Sequence, residues 1–513
     1  MLERYFSTFR KHIIGQDLSH NINGIAQKII YADWTASGRL YQPIEDFLTN
    51  QLGPYVANTH TETNLTGSTM TQAYHDAQQI IKKHVNADNN DALICSGSGM
   101  TTVINKLQRM LGLRVPEQFH KQCDLSEELK PVVFITHMEH HSNQTTWNAC
   151  NVTVVVIKKG PNGKPCEDDL KQRLAEYATR PMKIGSFTAC SNVTGIKTDY
   201  HALAKIMHQH GGICFVDFAC SAPYVDIDMH PEDPEQKLDG IFFSPHKFLG
   251  GPGSSGVLVF DKTLYVNKVP DQPGGGTVTW TNPWGEQGFF DDIETREDGG
   301  TPGFLQTIKV SLAIKLKEKM GIDNIQGRES ELTNILMSGI NRISGVEILE
   351  KDIKERLCIV SFYAPSLHYN LIVRLLNDKF GIQSRGGCSC AGTYGHILLN
   401  VDKGMSGSIT NKIDNGDLTD KPGWVRLSLH PTTTNAEAQY VVDSLKQVID
   451  NAQQWASEYQ FDLLSGDYKP NSQTTRFVTL TDFDPMQESN VGNLGSELSV
   501  VGTSSTWWKR LIS

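Results

Sequence analysis

No run of apolar residues in this 513-residue chain reaches the length of a membrane span, and no basic stretch is long enough to neutralise a track of phosphates. With a formal charge of -10, the chain is expected neither to bind nucleic acid nor to carry an integral membrane segment. The first residues, Met1 to Lys11, carry charges where a secretory peptide would need an unbroken apolar stretch, so a cytoplasmic protein is expected. There is no internal repeat, no low-complexity tract and no HExxH pattern. Cysteine is not scarce, but its ten copies are scattered, and Cys95, Cys150, Cys214 and Cys358 lie inside apolar strand-like runs. That distribution suits reduced core thiols and gives no disulfide framework.

What is present starts with alternation. From about 33 to 261, short apolar runs (92–95, 132–135, 152–157, 184–188, 213–216 and 241–243) alternate with helix-length amphipathic ones (68–85, 101–111, 168–177 and 200–210). This predicts an α/β fold with crossover units and a mainly parallel sheet covered by helices on both faces. Ligands of such sheets lie at the carboxyl ends of the strands. Beyond Thr301-Pro302-Gly303 the pattern changes to helices at 305–320, 330–343, 369–378 and 436–459 with strands at 357–363 and 424–429, which predicts a smaller α+β domain. The expected division is an N-terminal segment, 1–30, packing on the small domain; a large α/β domain, 31–304; a C-terminal α+β domain, 305–460; and a disordered tail, 461–513. A Gly/Asn/Asp/Ser-rich stretch near 392–423 is expected to be a long loop, and the tail ends in the aromatic-basic cluster Trp507-Trp508-Lys509-Arg510.

Two strand ends carry the most chemistry. Asp217 follows Ile213-Cys214-Phe215-Val216, and Lys247 ends Ser244-Pro245-His246-Lys247 after Ile241-Phe242-Phe243. A lysine there, beside hydroxyl and imidazole donors and before the turn Gly250-Gly251-Pro252-Gly253, suggests an amine that binds a cofactor aldehyde. Pyridoxal 5'-phosphate is the candidate: Asp217 would keep its pyridine nitrogen protonated, and Ser244, His246 and a glycine-rich turn would hold its phosphate. A second turn, Ser96-Gly97-Ser98-Gly99-Met100-Thr101-Thr102, joins a strand to a helix and offers further backbone donors. His137, His140 and His141 raise the question of a metal, but Glu139 is the one other ligand type at suitable spacing, so no metal is expected. An imidazole stacked on a cofactor ring is the better use. Asn192, in Ala189 to Gly195, is placed to bond the cofactor's phenolic oxygen and to face substrate. Arg426, in the apolar strand Trp424 to Leu429, must find an anion, either a structural partner or a substrate carboxylate.

With these residues in order, the chain resembles the class V aminotransferase family of fold-type I pyridoxal phosphate enzymes, and most of all its cysteine desulfurase and selenocysteine lyase branch. The resemblance runs over about 30–455 and rests on Asp33 in Tyr31-Ala32-Asp33-Trp34, Thr101, Glu139-His140-His141-Ser142-Asn143, Ser191 to Gly195, Val216-Asp217, Ser244 to Lys247, Gly300-Thr301-Pro302, Cys390 and Arg426. It implies that Lys247 holds the cofactor, Asp217 faces the pyridine nitrogen and His141 stacks on the ring. It also implies that Thr101, Ser244 and His246 bind phosphate, with Thr301 reaching in from the other subunit of a homodimer, and that Arg426 binds the carboxylate of an amino-acid substrate. One departure stands out: relatives read Val-Asp-x-Ala-Gln, whereas this chain has Cys220 in place of the glutamine.

Cys390 decides between reactions. Cys388-Ser389-Cys390 sits in a glycine-flanked loop after Arg385, where flexibility and a cation favour a reaching thiolate. The motif places Cys390 at the nucleophile position of a desulfurase that converts L-cysteine to alanine, leaving a persulfide for a sulfur-acceptor protein. The alternatives are another class V reaction that does not use Cys390, namely a C–S lyase, epimerase, kynureninase-type hydrolase or aminotransferase, and a non-catalytic dimeric scaffold.

Overall fold

The structure, a computed structural model, describes residues 1–22, 25–59, 61–471 and 480–486. Its large sheet has seven strands: β1 (Asp91–Ser96), β2 (Val132–Thr136), β3 (Thr153–Ile157), β4 (Lys183–Thr188), β5 (Ile213–Asp217), β6 (Gly240–Phe243) and β7 (Gly256–Asp261). They lie in the order β1-β7-β6-β5-β4-β2-β3. The pairs from β3 to β6 are parallel, while β7 runs antiparallel to both neighbours. β7 returns from the Lys247 region through a glycine turn with no crossover helix, so strand–helix alternation does not announce it.

Side-chain alternation explains why these strands read as unbroken apolar runs. Val132, Phe134, Val257 and Val259 join the core on one face, and Val133, Ile135, Leu258 and Phe260 join that on the other. Successive residues of a strand point to opposite faces, and both faces are covered. The helix Leu65–His84 supplies Ile81 to the first core, and Phe304–Met320 supplies Val310 and Ile314. The helix Met100–Met110 supplies Val103, Ile104 and Leu107 to the second.

A second, antiparallel sheet contains β8 (Glu347–Ile348), β9 (Ile359–Tyr363), β10 (Arg385–Gly387) and β11 (Trp424–Ser428), in the order β8-β9-β11-β10. Helices Ile322–Ile340, Tyr369–Phe380 and Asn435–Trp455 pack on it. The last opens with a capping box between Thr434 and Glu437. Ile322–Ile340 starts eight residues ahead of the expected 330 because buried Arg328 and Glu329 interrupt its apolar period. At the N-terminus, Phe6 and Phe9 of the helix Leu2–Arg10 pack with Leu316, Met320 and Ile325, and Arg10 donates to the Thr432 carbonyl at 2.9 Å.

Two expectations are corrected. The stretch 392–423 is not a long loop: it holds the helices Gly392–Leu398 and Lys403–Asp414, the second capped by Asp402, whose side chain accepts the Met405 N–H at 2.8 Å. Lys403–Asp414 buries no residue, so it has no apolar stripe by which to be recognised. Nor does disorder begin at 461, because Tyr459–Asp462 and Asp467–Pro470 form a hairpin whose Phe461 and Tyr468 pack on His368 at 5.2 and 5.7 Å. Residues 472–479 and 487–513, with the Trp507-Trp508 cluster, lie outside the described residues. Among the described residues, no helix is long and apolar enough to cross a membrane.

Candidate active site

The carboxyl ends of β5 and β6 bring the two principal residues together. Asp217 closes β5, in register with Thr188 of β4 and Phe242 of β6. Its carboxylate is buried and accepts the Ala219 N–H at 2.7 Å. Burial pushes its pKa up to about 6, opposed by that N–H and by the charge of Lys247. Lys247 ends a single helical turn, Pro245–Lys247, directly after β6. Burial lowers its pKa; Cys220 and Asp217 pull it up, and Arg426 and Arg385 push it down.

Beside Lys247, the N-terminus of the helix Met100–Met110 meets Ser244, whose Oγ accepts the Met100 N–H at 2.9 Å. A Cβ on Gly99 would come within 3.0 Å of that Oγ and 3.6 Å of His246, so glycine is what leaves this cradle open. Thr101 and Ser142 share a hydroxyl hydrogen bond at 2.7 Å. A cavity of about 760 Å³ opens here, walled by Ser96 to Ser98, His246, Ser254 and Thr301. Thr301 thus reaches the cavity of its own chain.

The two adjacent histidines separate. His140 caps the helix His141–Asn148, its Nδ1 accepting the Ser142 N–H at 3.1 Å, and its pKa falls to about 3 through burial and the charges of Lys247, Arg426 and Arg385. His141 turns elsewhere. Its backbone N–H donates to the Cys390 carbonyl at 2.7 Å, and its ring Nε2 accepts the Gly392 N–H at 2.8 Å. The His141 ring is thus engaged by the cysteine loop, whereas His140 is the imidazole on which the charge of Lys247 acts. The spacing of two neighbouring histidines gives no signal for this, because the first turn of the helix aims them differently.

Asn192 and Arg426 lie between the two sheets. Arg426 is buried on β11, donating to the Asn192 carbonyl at 3.0 Å and to Asp33 at 2.7 Å, while its Nε–H has no hydrogen-bond partner. Asn192 Nδ2 donates to the Ser389 carbonyl at 2.7 Å, and its Oδ1 is buried and unpartnered. Sequence reasoning missed the roles of Asp33 and Arg385. Arg385 is paired in register with Arg426 across β10 and β11, and its Nε lies 3.2 Å from the second oxygen of Asp33. One carboxylate thus bridges two guanidinium groups.

Cys390 is exposed, but its loop is not free. Ser389 and Cys390 take left-handed φ values of 50° and 57°, and the bonds to His141 and Asn192 pin the turn from two sides. Thr393 adds a third tie, donating to Gln144 at 2.9 Å. Cys388 instead packs against the core formed by Met138, Tyr394 and Trp424. Cys220 is buried and donates from Sγ to the Cys190 carbonyl at 3.0 Å. His137 is buried with both ring nitrogens unpartnered, edge-on to Tyr394.

A family model described as aminotransferase class-V matches residues 30–441. The chain belongs to the aminotransferase class-V family. A probable cysteine desulfurase of Staphylococcus aureus (strain Mu50) is 28% identical over 378 residues, which cover 73% of this chain and 85% of that one. One of Halalkalibacterium halodurans is 27% identical over 73% of this chain and 86% of its own. Among solved structures, the apo cysteine desulfurase of Thermococcus onnurineus superposes with a TM-score of 0.68 at 21% identity, covering 86% of this chain and 98% of that one. An Escherichia coli cysteine desulfurase superposes with a TM-score of 0.65 at 20% identity, covering 88% and 98%. The fold is that of these enzymes. Class V enzymes use pyridoxal 5'-phosphate, and the donor set fits it: a buried acid and a partly buried amine on adjoining strand ends, hydroxyls at a helix N-terminus, and a glycine cradle between them.

Proposed function

We propose that this enzyme is a cysteine desulfurase, converting L-cysteine to alanine and carrying the sulfur as a persulfide on Cys390. The observation that carries this reading is the placement of Cys390: an exposed thiol on a turn held by His141 and Asn192, the segments that also border Lys247 and Arg426.

Pyridoxal phosphate, when bound, supplies an electron sink for the substrate α-carbon. Lys247 anchors it and afterwards moves the α-proton, a task suited to an amine whose pKa burial lowers. Asp217, ionised above about pH 6, holds a proton on the ring nitrogen. His140, uncharged at neutral pH, would pack on the ring, and Ser244, Thr101, His246 and Thr301 would hold the phosphate. Arg426, aimed by Asp33, takes the substrate carboxylate with its unpartnered Nε–H, and Asn192 offers its unpartnered Oδ1 to the same space. The Cys390 thiolate attacks the substrate sulfur; the new S–S bond forms as the substrate C–S bond breaks, the electron pair of that bond goes to the substrate β-carbon, which takes up a proton, and alanine leaves.

The same reading takes the enzyme as a cytoplasmic homodimer that passes sulfur to an acceptor protein. The hairpin of Val278–Thr281 and Gln287–Phe289 supports a second copy, because Trp280 and Trp284 stand 52% and 83% exposed there. The deciding experiment compares alanine and persulfide formation from L-cysteine by the wild type and Cys390→Ala. Loss of both products in a variant that still binds cofactor is expected. A cofactor-loaded wild type that makes no alanine would move the reading to another class V reaction.

A further inference from the structure

A buried ion-pair network that no step above uses ties the helix Met100–Met110 to the segment carrying Thr301. Beyond β7 the chain joins neither of the two main sheets before it reaches Thr301, and its one hairpin pairs only with itself. Thr301 is exposed and follows two glycines, so its own packing does not hold its hydroxyl. The anchors lie just upstream and are side chains. Lys106 Nζ lies 2.7 Å from Glu297 and 3.5 Å from Asp271, with the Lys106 and Glu297 side chains 1% and 0% exposed. Arg109, one turn further along the helix, donates to both oxygens of Asp271 at 2.6 and 2.8 Å. Glu297 also accepts the Tyr265 hydroxyl at 2.7 Å and the Asp271 N–H at 3.0 Å.

Both ends of this network reach the cofactor cavity. The helix opens the cradle at Met100 and Thr101, and Gln272, Glu297 and Thr301 stand in the cavity wall. Lys106 meets Glu297 as charge rather than as an aligned hydrogen bond. Burying two charges gains little stability over apolar side chains of similar volume, because desolvation offsets the attraction. What the pair supplies is register: an ammonium set beside two carboxylates holds the helix and the returning segment at one spacing.

We propose that Lys106 and Glu297 are positioning residues for the cofactor phosphate, holding the segment that carries Thr301 in register with the helix whose N-terminus opens the phosphate cradle. Neither side chain touches the phosphate; both act through Thr301. The proposal rests on the reading of Thr301 as a phosphate ligand, and it is independent of which reaction the bound cofactor runs.

The test starts from the holoenzyme and the double variant Lys106→Met/Glu297→Leu, which removes both charges together. Pyridoxal phosphate retained on the protein is assayed at intervals of dialysis for the wild type, the double variant, Thr301→Val and all three changes combined. Release should be about tenfold faster in the double variant and in Thr301→Val, and no faster still in the triple variant. Affinity for pyridoxal, which lacks the phosphate, should be equal in all four. Wild-type release from Thr301→Val overturns the phosphate reading of Thr301 and the proposal with it. Faster release from Thr301→Val but not from the double variant overturns the proposal alone, whatever the melting temperature does, since the pair is then only structural. Additive effects in the triple variant, or an equal loss of pyridoxal affinity, overturn it too. Should the double variant fail to fold, Glu297→Gln, which keeps an acceptor for Tyr265, is judged by the same outcomes.

Discussion

The cofactor wall and the thiol turn are joined through His141 and Asn192, yet they are built by different physics. The wall is made of strand ends: Asp217 and Lys247 are fixed by β5 and β6, whose side chains are buried on both faces of a seven-stranded sheet. The turn at Cys390 is flanked by Cys388 and Ala391, which pack in a small core with Met138, Tyr394 and Trp424, while Ser389, Cys390 and Gly392 are held by hydrogen bonds to Asn192 and His141. Packing positions the first, so it tolerates buried charge; a few polar contacts position the second, so each is individually exposed to mutation.

The largest effect should come from the wall. Lys247→Ala removes both anchor and proton carrier, and turnover should fall by at least about 10²–10⁴-fold with loss of visible cofactor absorbance. A variant that keeps its colour and its rate would remove Lys247 from the site altogether.

Asp217→Asn measures what the wall costs. The folded pKa of Asp217 stands at about 6, above its ordinary 3.8, so this group's contribution to stability is intact below about pH 4 and is lost as pH rises through 6. The cofactor-free asparagine variant should therefore unfold above the wild type at pH 8, by up to about 3 kcal/mol. The gap should close near pH 4. A variant less stable at every pH would mean that the buried carboxylate is compensated in a way the Ala219 N–H and Lys247 do not account for.

A pair of neighbours sharpens the contrast further. His140→Ala should shift the cofactor absorbance and weaken cofactor retention, because it belongs to the wall. His141→Ala should leave the spectrum in place and lower alanine formation by up to about tenfold, through loss of the one hydrogen bond that Nε2 accepts from the Gly392 N–H, while the backbone bond to Cys390 remains. Identical spectra for the two variants would erase the distinction between the histidines.

The same contrast explains what the sequence disclosed. Runs such as Val132 to Ile135 and Ile241 to Phe243 are legible because burial on both faces leaves no polar residue in them. Asp217 and Lys247 follow such runs directly, so their placement is legible with them. Asp33, Arg385 and the aim of His141 are not, since they meet through contacts 251 to 393 residues apart in the chain and leave no local period. The helix Lys403–Asp414 is hidden for the opposite reason, that it buries nothing.

That helix offers the smallest and most discriminating test. Gly407 lies within it, exposed, at a φ that L-residues readily adopt, and a Cβ there meets nothing within 4 Å. If 403–414 were a loop, Gly407→Ala would change stability little or unfavourably. In a helix it removes backbone freedom from the unfolded chain, and stability should rise by about 0.5–1 kcal/mol with activity unchanged. A neutral or destabilising result in thermal unfolding would return the segment to the loop that its composition suggests.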